Sequence, residues 1–158
     1  MLEISYPASF RPDEDGRPVV RFIDLREALT VGTNMTEAWQ EAQDCLGGAL
    51  AQWMANKEEI PYPSKPKRGQ KAVPVPLWMA PKVALYWAMK ESGTSNVELA
   101  KKLGVRETVI RRMLDPDHAT KAEKIQIALA ALGNGFASRS RMRREPNCCL
   151  IVEASFTS

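Results

Sequence analysis

The chain has 158 residues, is 44% hydrophobic and 26% charged, and carries a net charge of +3. These values are typical of a soluble globular protein with one domain or two small ones. No apolar run approaches the roughly 18 residues that a membrane span needs, and the N-terminus has no signal-peptide core, so we expect a cytoplasmic protein without membrane contact. Three cysteines and one histidine, with no Cys-x-x-Cys pair, predict neither a disulfide framework nor a zinc site.

Charge is distributed unevenly along the chain. Residues 1–60 hold 5 basic and 11 acidic side chains, which gives −6, and residues 61–132 hold 13 and 6, which gives +7. The remaining residues, 133–158, hold 4 and 2, which gives +2. Such asymmetry predicts two modules with different partners. The basic module suits a polyanion, and the acidic module suits a basic protein or merely solvent.

The strands of the first 60 residues are predicted from hydrophobic alternation. Residues 3–10 and 18–23 flank an Asp-Glu-Asp-Gly turn at 13–16, which predicts a β-hairpin. Residues 28–32 predict a third, shorter strand.

A long amphipathic helix is predicted over 35–56. Asn34 followed by Glu37 is a capping box that opens it, and its apolar residues form one broad face. We expect this helix to lie across the sheet, with Trp39 and Trp53 in the core because large aromatic side chains dominate burial energetics.

Residues 61–77 predict a stiff basic linker rich in proline and lysine. Within it, Val73–Pro76 looks extended, and its prolines confine such a segment to a sheet edge or a contact between chains. An all-helical domain is then predicted over 78–133, beginning with a helix over 79–92.

The most informative stretch reads SNVELAKKLGVRETVIRRML. Its apolar residues form two short amphipathic runs separated by Gly104, and glycine tolerates the positive φ that turns the chain sharply. Ser95 and Glu98 form a capping box at the start. Ala100, four residues before the glycine, and Ile110, six after it, match the spacing of a helix-turn-helix, whose second helix enters the DNA major groove. The alternative is an ordinary pair of core helices.

A DNA interface is predicted on this helical domain. The first residues of the second helix usually read base edges, and lysines nearby meet phosphates. The predicted DNA contacts are Arg106, Glu107, Thr108, Arg111, Arg112, Lys101, Lys102 and Lys121. Because one such motif reads only a few base pairs, we expect at least a homodimer joined through the helical domain.

The end of the chain gives weaker signals. Thr120 with Glu123 predicts a third capping box, followed by a helix that closes at Gly133. Residues 134–158 predict a mostly loose tail.

The acidic side chains raise the question of catalysis. Two-metal nucleases need several carboxylates that converge from different strands. Here Asp13, Glu14 and Asp15 share one turn, and only Asp24 lies at a strand end. His118 has no Ser, Cys or metal partner near it in sequence. The sequence therefore predicts no enzyme, no catalytic residue, no metal site and no cofactor, with an active nuclease as a rival interpretation.

Two groups of motifs resemble the HicB-type antitoxins of HicA/HicB toxin–antitoxin systems. The N-terminal group comprises YPASF at 6–10, PDEDG at 12–16, F-x-DL at 22–25 and G-x-N-x-x-EA at 32–38. The C-terminal group comprises VELA at 97–100, LD-x-DHATK at 114–121 and AL-x-ALG at 128–133. Together they cover about residues 3–133. Two places in the chain depart from the family pattern: Arg26-Glu27-Ala28 replaces a usual Pro-Gly-Cys, and Arg106 stands where a capping Ser or Thr is common.

The resemblance implies an α+β fold with two functions. An N-terminal partial ribonuclease-H-like βββα(β) module at 1–60 would bind and neutralise a small mRNA-cleaving HicA-type toxin. An all-α helix-turn-helix domain at 78–133 would bind operator DNA and repress the operon. The expected toxin contacts are the acidic side chains of Asp13, Glu14, Asp15 and Asp24. The alternative is a stand-alone helix-turn-helix transcriptional regulator whose N-terminal module senses a small ligand.

Overall fold

The computed structural model describes residues 2–139 and 151–152, and side chains over 3–133. The chain divides into two compact units, the first running through Ala80 and including 151–152, the second beginning at Pro81. The elements in chain order are β1 (Leu2–Glu3), β2 (Ser5–Pro12), β3 (Pro18–Phe22), β4 (Leu29–Val31), α1 (Met35–Ala55), β5 (Gln70–Pro74), α2 (Ala80–Ser92), α3 (Asn96–Leu103), α4 (Glu107–Leu114), α5 (Ala122–Arg139) and β6 (Ile151–Val152). Within these residues, no helix is long and apolar enough to cross a membrane.

The N-terminal unit is built on a four-stranded antiparallel sheet with the order β4-β3-β2-β5. The predicted hairpin forms β2 and β3, with Ala8 opposite Phe22 and Pro12 opposite Pro18. Gly16 completes the turn at φ +78, a conformation that favours glycine. A separate two-residue ladder joins β1 to β6.

Helix α1 covers one face of this sheet and begins where the sequence predicts. The Asn34 side chain accepts a hydrogen bond from the Glu37 N–H at 2.9 Å. The Glu37 carboxylate does not return to Asn34 but accepts the Thr33 N–H at 2.7 Å. Gly32 lets α1 approach the end of β4, because a Cβ there would lie 2.4 Å from the Ala38 nitrogen. The buried side of the helix consists of small and aliphatic residues: Ala38, Ala42, Leu46, Gly47 and Leu50.

The prediction that Trp39 and Trp53 belong to the core is wrong. Both are only half-buried, because the line of α1 that meets the sheet carries smaller residues and the indoles lie at its margins. Trp39 instead stacks on Phe10, with ring centroids 5.7 Å apart. The tryptophan that is fully buried among the described side chains is Trp87.

Residues 61–77 lie within the N-terminal unit, and the sheet-edge strand predicted in this segment is present as β5 at the edge of the four-stranded sheet. Strand β5 pairs with β2, and Tyr6 lies opposite Val73. The Tyr6 hydroxyl donates to the Pro61 carbonyl at 2.7 Å. The Asp24 carboxylate accepts the Ser64 N–H at 2.9 Å. These contacts tie both ends of the segment to the sheet.

This boundary changes the charge of each unit. Residues 1–80 hold 9 basic and 11 acidic side chains, which gives −2, and residues 81–133 hold 9 and 6, which gives +3. The excess of −6 expected for the N-terminal module is therefore largely offset by the basic segment that precedes and forms β5.

The helical unit has a core of its own. Its buried cluster draws on α2 to α5 and comprises Leu85, Ala88, Met89, Leu99, Ala100, Ile110, Met113, Ile125, Ala128 and Leu132. Helix α5 continues through Gly133 to Arg139, so the predicted end at Gly133 is wrong. The tail predicted over 134–158 is thus helical up to Arg139 and paired at 151–152, and its other residues lie outside the described part of the chain.

Two adjacent glycines of α1 give a matched test of this packing. A Cβ at Gly47 would lie 2.8 Å from Trp78 and 3.0 Å from Pro76, whereas a Cβ at Gly48 would meet nothing within 4 Å. We expect Gly48→Ala to stabilise the N-terminal unit by about 0.5–1 kcal/mol through helix propensity. Gly47→Ala should lose about 1–2 kcal/mol, because overpacking outweighs the same gain. Urea unfolding of the full chain measures both, and equal stabilities would contradict the packing described.

Candidate functional site

The predicted pair of helices with a glycine between them is present as α3 and α4. The Ser95 hydroxyl accepts the Glu98 N–H at 3.3 Å, and the Glu98 carboxylate accepts the Ser95 N–H at 2.7 Å. This reciprocal capping box holds the pKa of Glu98 below its usual value, mainly because the Ser95 backbone N–H donates to the Glu98 carboxylate. Helix α3 ends at Gly104 in the left-handed conformation, with φ +64 and ψ +31. The chain then turns directly into α4.

Helix α4 separates an apolar side from a charged one. Ile110 and Met113 are buried in the core of the helical unit, whereas Arg106, Thr108, Arg111 and Arg112 are exposed. The N-cap position is Arg106, whose side chain makes no capping hydrogen bond, as its residue type leads one to expect.

One pair of the predicted DNA contacts is already engaged. The Arg111 guanidinium lies 2.8 Å from the Glu107 carboxylate, one turn away on the same helix. This i,i+4 pair neutralises part of the charge of α4. Arg106 and Arg112 are therefore better placed than Arg111 to meet an anionic ligand.

The three predicted phosphate contacts also lie on the surface. Lys101 and Lys102 are exposed in the last turn of α3, and Lys121 is exposed just before α5. Helix α5 begins at Ala122, so its N-cap position falls at Lys121 and not at the predicted Thr120, whose hydroxyl donates to the Arg112 carbonyl at 3.2 Å. The loop before α5 is thereby tied to α4.

Lys82 of α2 is a positioning residue that sequence reasoning missed. It is only 3% exposed, and its ammonium donates to the carbonyl of His118 at 2.6 Å and to that of Asp115. Desolvation lowers the pKa of Lys82, and the carboxylates of Asp115 and Asp117 oppose that shift. The lysine therefore fastens the loop that follows α4 to α2.

The acidic residues predicted as toxin contacts do not form one patch. Asp13 to Asp15 lie in the turn before β3, and Asp24 lies beyond the other end of that strand, roughly 15 Å away for five extended residues. Asp13 accepts the N–H groups of Asp15 and Arg17 at 3.0 and 2.7 Å. Desolvation acts to raise the pKa of Asp13, but these bonds and the Arg17 charge lower it overall.

Only part of this acidic set faces outward. Asp13 organises the hairpin turn and Asp24 anchors Ser64, so both carboxylates serve the fold. Asp15 is exposed and paired with Arg17 at 3.0 Å, and Glu14 is exposed. Within the described residues, no group of three or more His, Cys, Asp or Glu side chains is arranged to hold a metal ion.

The features described above are exposed charged side chains and the residues that hold their loops in place. Such surfaces suit a protein that binds other macromolecules. The profile of the family described as HicB-like antitoxin of bacterial toxin-antitoxin system matches residues 5–84. The chain is 43% identical over 128 residues to Antitoxin HicB 2 of Photorhabdus laumondii, covering 81% of this chain and 90% of the relative. It is 37% identical to Antitoxin HicB of Escherichia coli K12, covering 81% and 93%. The chain belongs to the HicB antitoxin family, whose members pair with a toxin in a toxin–antitoxin system.

Replacing Lys82 tests whether its hydrogen bonds to the loop after α4 stabilise the helical unit. In Lys82→Met the side chain stays long and apolar but the two loop carbonyls lose a charged donor, which we expect to cost about 2–3 kcal/mol of unfolding free energy in the helical unit. The matched control is Lys124→Met, because Lys124 is exposed on α5 and its loss should change stability by less than about 0.5 kcal/mol. Denaturant unfolding monitored by far-UV circular dichroism measures both. Equal stabilities of the two variants would contradict the assignment.

Proposed function

We propose that this chain neutralises a small mRNA-cleaving toxin of the HicA type and represses its own operon by binding operator DNA. The N-terminal unit, a partial ribonuclease-H-like module, covers the toxin, and α3 and α4 act as a helix-turn-helix. Both activities belong to the cytoplasm, where mRNA and operator are found. Neither needs chemistry from the antitoxin, because covering the active surface of a toxin and occupying an operator are binding events.

The observation that carries this proposal is the extent of the match to curated antitoxins. The similarity to the Photorhabdus relative spans 128 residues, more than the 5–84 region of the family profile, so the relative shares part of the helical unit as well. Neutralisation of a toxin is supported by the similarity to that relative, which is named an antitoxin. Repression is supported by the left-handed Gly104 between two short helices and by the exposed arginines of α4.

The residues of each interface follow from their exposure. Arg106 and Thr108, at the start of α4, are the candidates for reading base edges, with Arg112 beside them. Lys101, Lys102 and Lys121 meet phosphates. Toxin contact at the hairpin falls to Glu14 and Asp15, because Asp13 and Asp24 are used by the fold. An operator of two half-sites requires at least a homodimer.

A double variant separates the two activities in the full chain. Arg106→Ala with Arg112→Ala removes two exposed cations, and we expect at least a tenfold loss of operator affinity, since one good arginine–guanine pair is worth about 1–3 kcal/mol. Growth protection against the product of the adjacent reading frame should remain. Gel-shift titration and co-expression measure the two effects.

Lys67→Ala with Arg68→Ala is the matched control, because both residues are exposed in the N-terminal unit and the change in net charge is the same. We expect the control to bind the operator within about threefold of the wild-type affinity, because the long-range effect of exposed charges is weak. An Arg106/Arg112 variant that binds the operator as tightly as the control would show that α4 does not face DNA.

A further inference from the structure

A groove runs between the outer side of α1 and the loop before β4. It encloses about 330 Å³, at the small end of the range for ligand sites, which suits one long side chain better than a free cofactor. Its lining comes from the second half of α1 and from the segments on either side of that helix: Glu27, Ala28, Cys45, Gly48, Ala49, Gln52, Trp53, Asn56 and Glu58.

Gly48 lies on this lining, and no close contact in the fold requires a glycine at this position. Glycine in the middle of a helix costs about 0.5–1 kcal/mol relative to alanine. Gly32 and Gly47 are explained by close contacts, whereas a Cβ at Gly48 would meet nothing within 4 Å. The space beside Gly48 is therefore open groove. A missing side chain there leaves the helix backbone accessible to a group that enters from outside.

The groove carries the chemistry that a cation prefers. Trp53 is half-buried in its wall, and an indole face attracts a guanidinium or ammonium group. The Glu27 carboxylate and the amide oxygens of Gln52 and Asn56 are acceptors for its N–H groups. The Glu58 carboxylate, which accepts a hydrogen bond from the Asn56 side-chain amide at 3.2 Å, adds negative charge to the lining. No lysine or arginine is among the lining residues.

The surroundings of the groove are also anionic. Residues 26–59 contain six acidic and two basic side chains, the exposed Arg26 and Lys57, which gives −4, and α1 itself carries negative charge only. Burial raises the pKa of the Cys45 thiol on this lining, the hydrogen bond to the Leu29 carbonyl opposes that shift, and the Glu41 carboxylate adds to the rise. Glu41 and Asp44 are exposed beside the groove on α1. A partner that docks here must present positive charge.

We propose, building on the toxin-neutralising function proposed above, that this groove receives an arginine side chain of the toxin. Arginine fits better than lysine because its planar guanidinium stacks on an indole and bonds several acceptors at once. A ribonuclease must present basic side chains to bind the phosphates of RNA. An arginine seated here would lie against Trp53, with the Glu27 carboxylate on the same lining to accept from its guanidinium.

Filling the groove tests this assignment. Gly48→Gln places a side chain into the open space and should leave the full chain at least as stable as the wild type, because glutamine has the higher helix propensity. We expect its Kd for the purified product of the adjacent reading frame, measured by calorimetry, to rise at least about tenfold, the loss of a buried anchor contact. Gly133→Gln is the matched control, because Gly133 also lies in a helix with nothing within 4 Å of its Cβ position. The control should bind like the wild type.

A second variant tests the charge of the groove. Glu27→Gln removes one exposed carboxylate from the rim and should weaken binding about threefold at low salt, with a smaller effect at high salt. Wild-type binding with an unchanged Kd in Gly48→Gln would overturn the assignment of the groove and leave the proposed function intact. If Gly48→Gln fails to fold, an unchanged Kd and salt dependence in Glu27→Gln overturn it. Absence of binding by the wild type would overturn the proposed function, and the groove assignment with it.

Discussion

The pairing of β2 with β5 is the constraint on which the N-terminal unit depends. Strand β2 is bonded on both sides, to β3 within the hairpin and to β5, which returns some 60 residues later in the chain. Tyr6 and Val73 are opposite one another and fully buried, and the Tyr6 hydroxyl holds Pro61. Because β5 completes the sheet, residues that look like a linker become part of the fold. A fragment that stops at residue 60 would lack an edge strand and would expose β2.

The addition of β5 to the sheet also brings a basic segment into the N-terminal unit. The net charge of residues 1–80 is only −2, but it is segregated: residues 26–59 carry −4, with negative charge only within α1, and residues 65–71 carry +4. Long-range attraction to a basic partner is therefore a property of α1 rather than of the whole unit, since exposed charges act over about one Debye length, near 8–10 Å. The helical unit places its exposed arginines on α4, where the same screening limits their reach. Opposite charges are thus carried by different parts of one small chain.

Local signals predicted the local structure well, and non-local contacts account for what was missed. The hairpin turn, the start of α1 at Asn34, the capping box of α3 and the turn at Gly104 each depend on a few adjacent residues. The prolines near β5 indicated a sheet edge, but neither its pairing with β2 nor the bonds from Lys82 to carbonyls 33 and 36 residues away could be predicted from adjacent residues. The Glu107–Arg111 ion pair was also missed, although it is local: the i,i+4 spacing of the two residues in the sequence is enough to predict that it neutralises part of the charge of α4. Trp39 and Trp53 were misjudged because size favours burial while position on the helix decides it.

Inhibition of RNA cleavage is the most direct measurement of whether this chain is an antitoxin that acts by binding. The purified product of the adjacent reading frame would be incubated with a defined mRNA while the full chain is added in increasing amount. We expect cleavage to fall linearly with added chain and to stop at a fixed molar ratio, because the toxin surface is covered by a tight complex. Cleavage that continues at the same rate in a tenfold excess of folded chain would contradict the account.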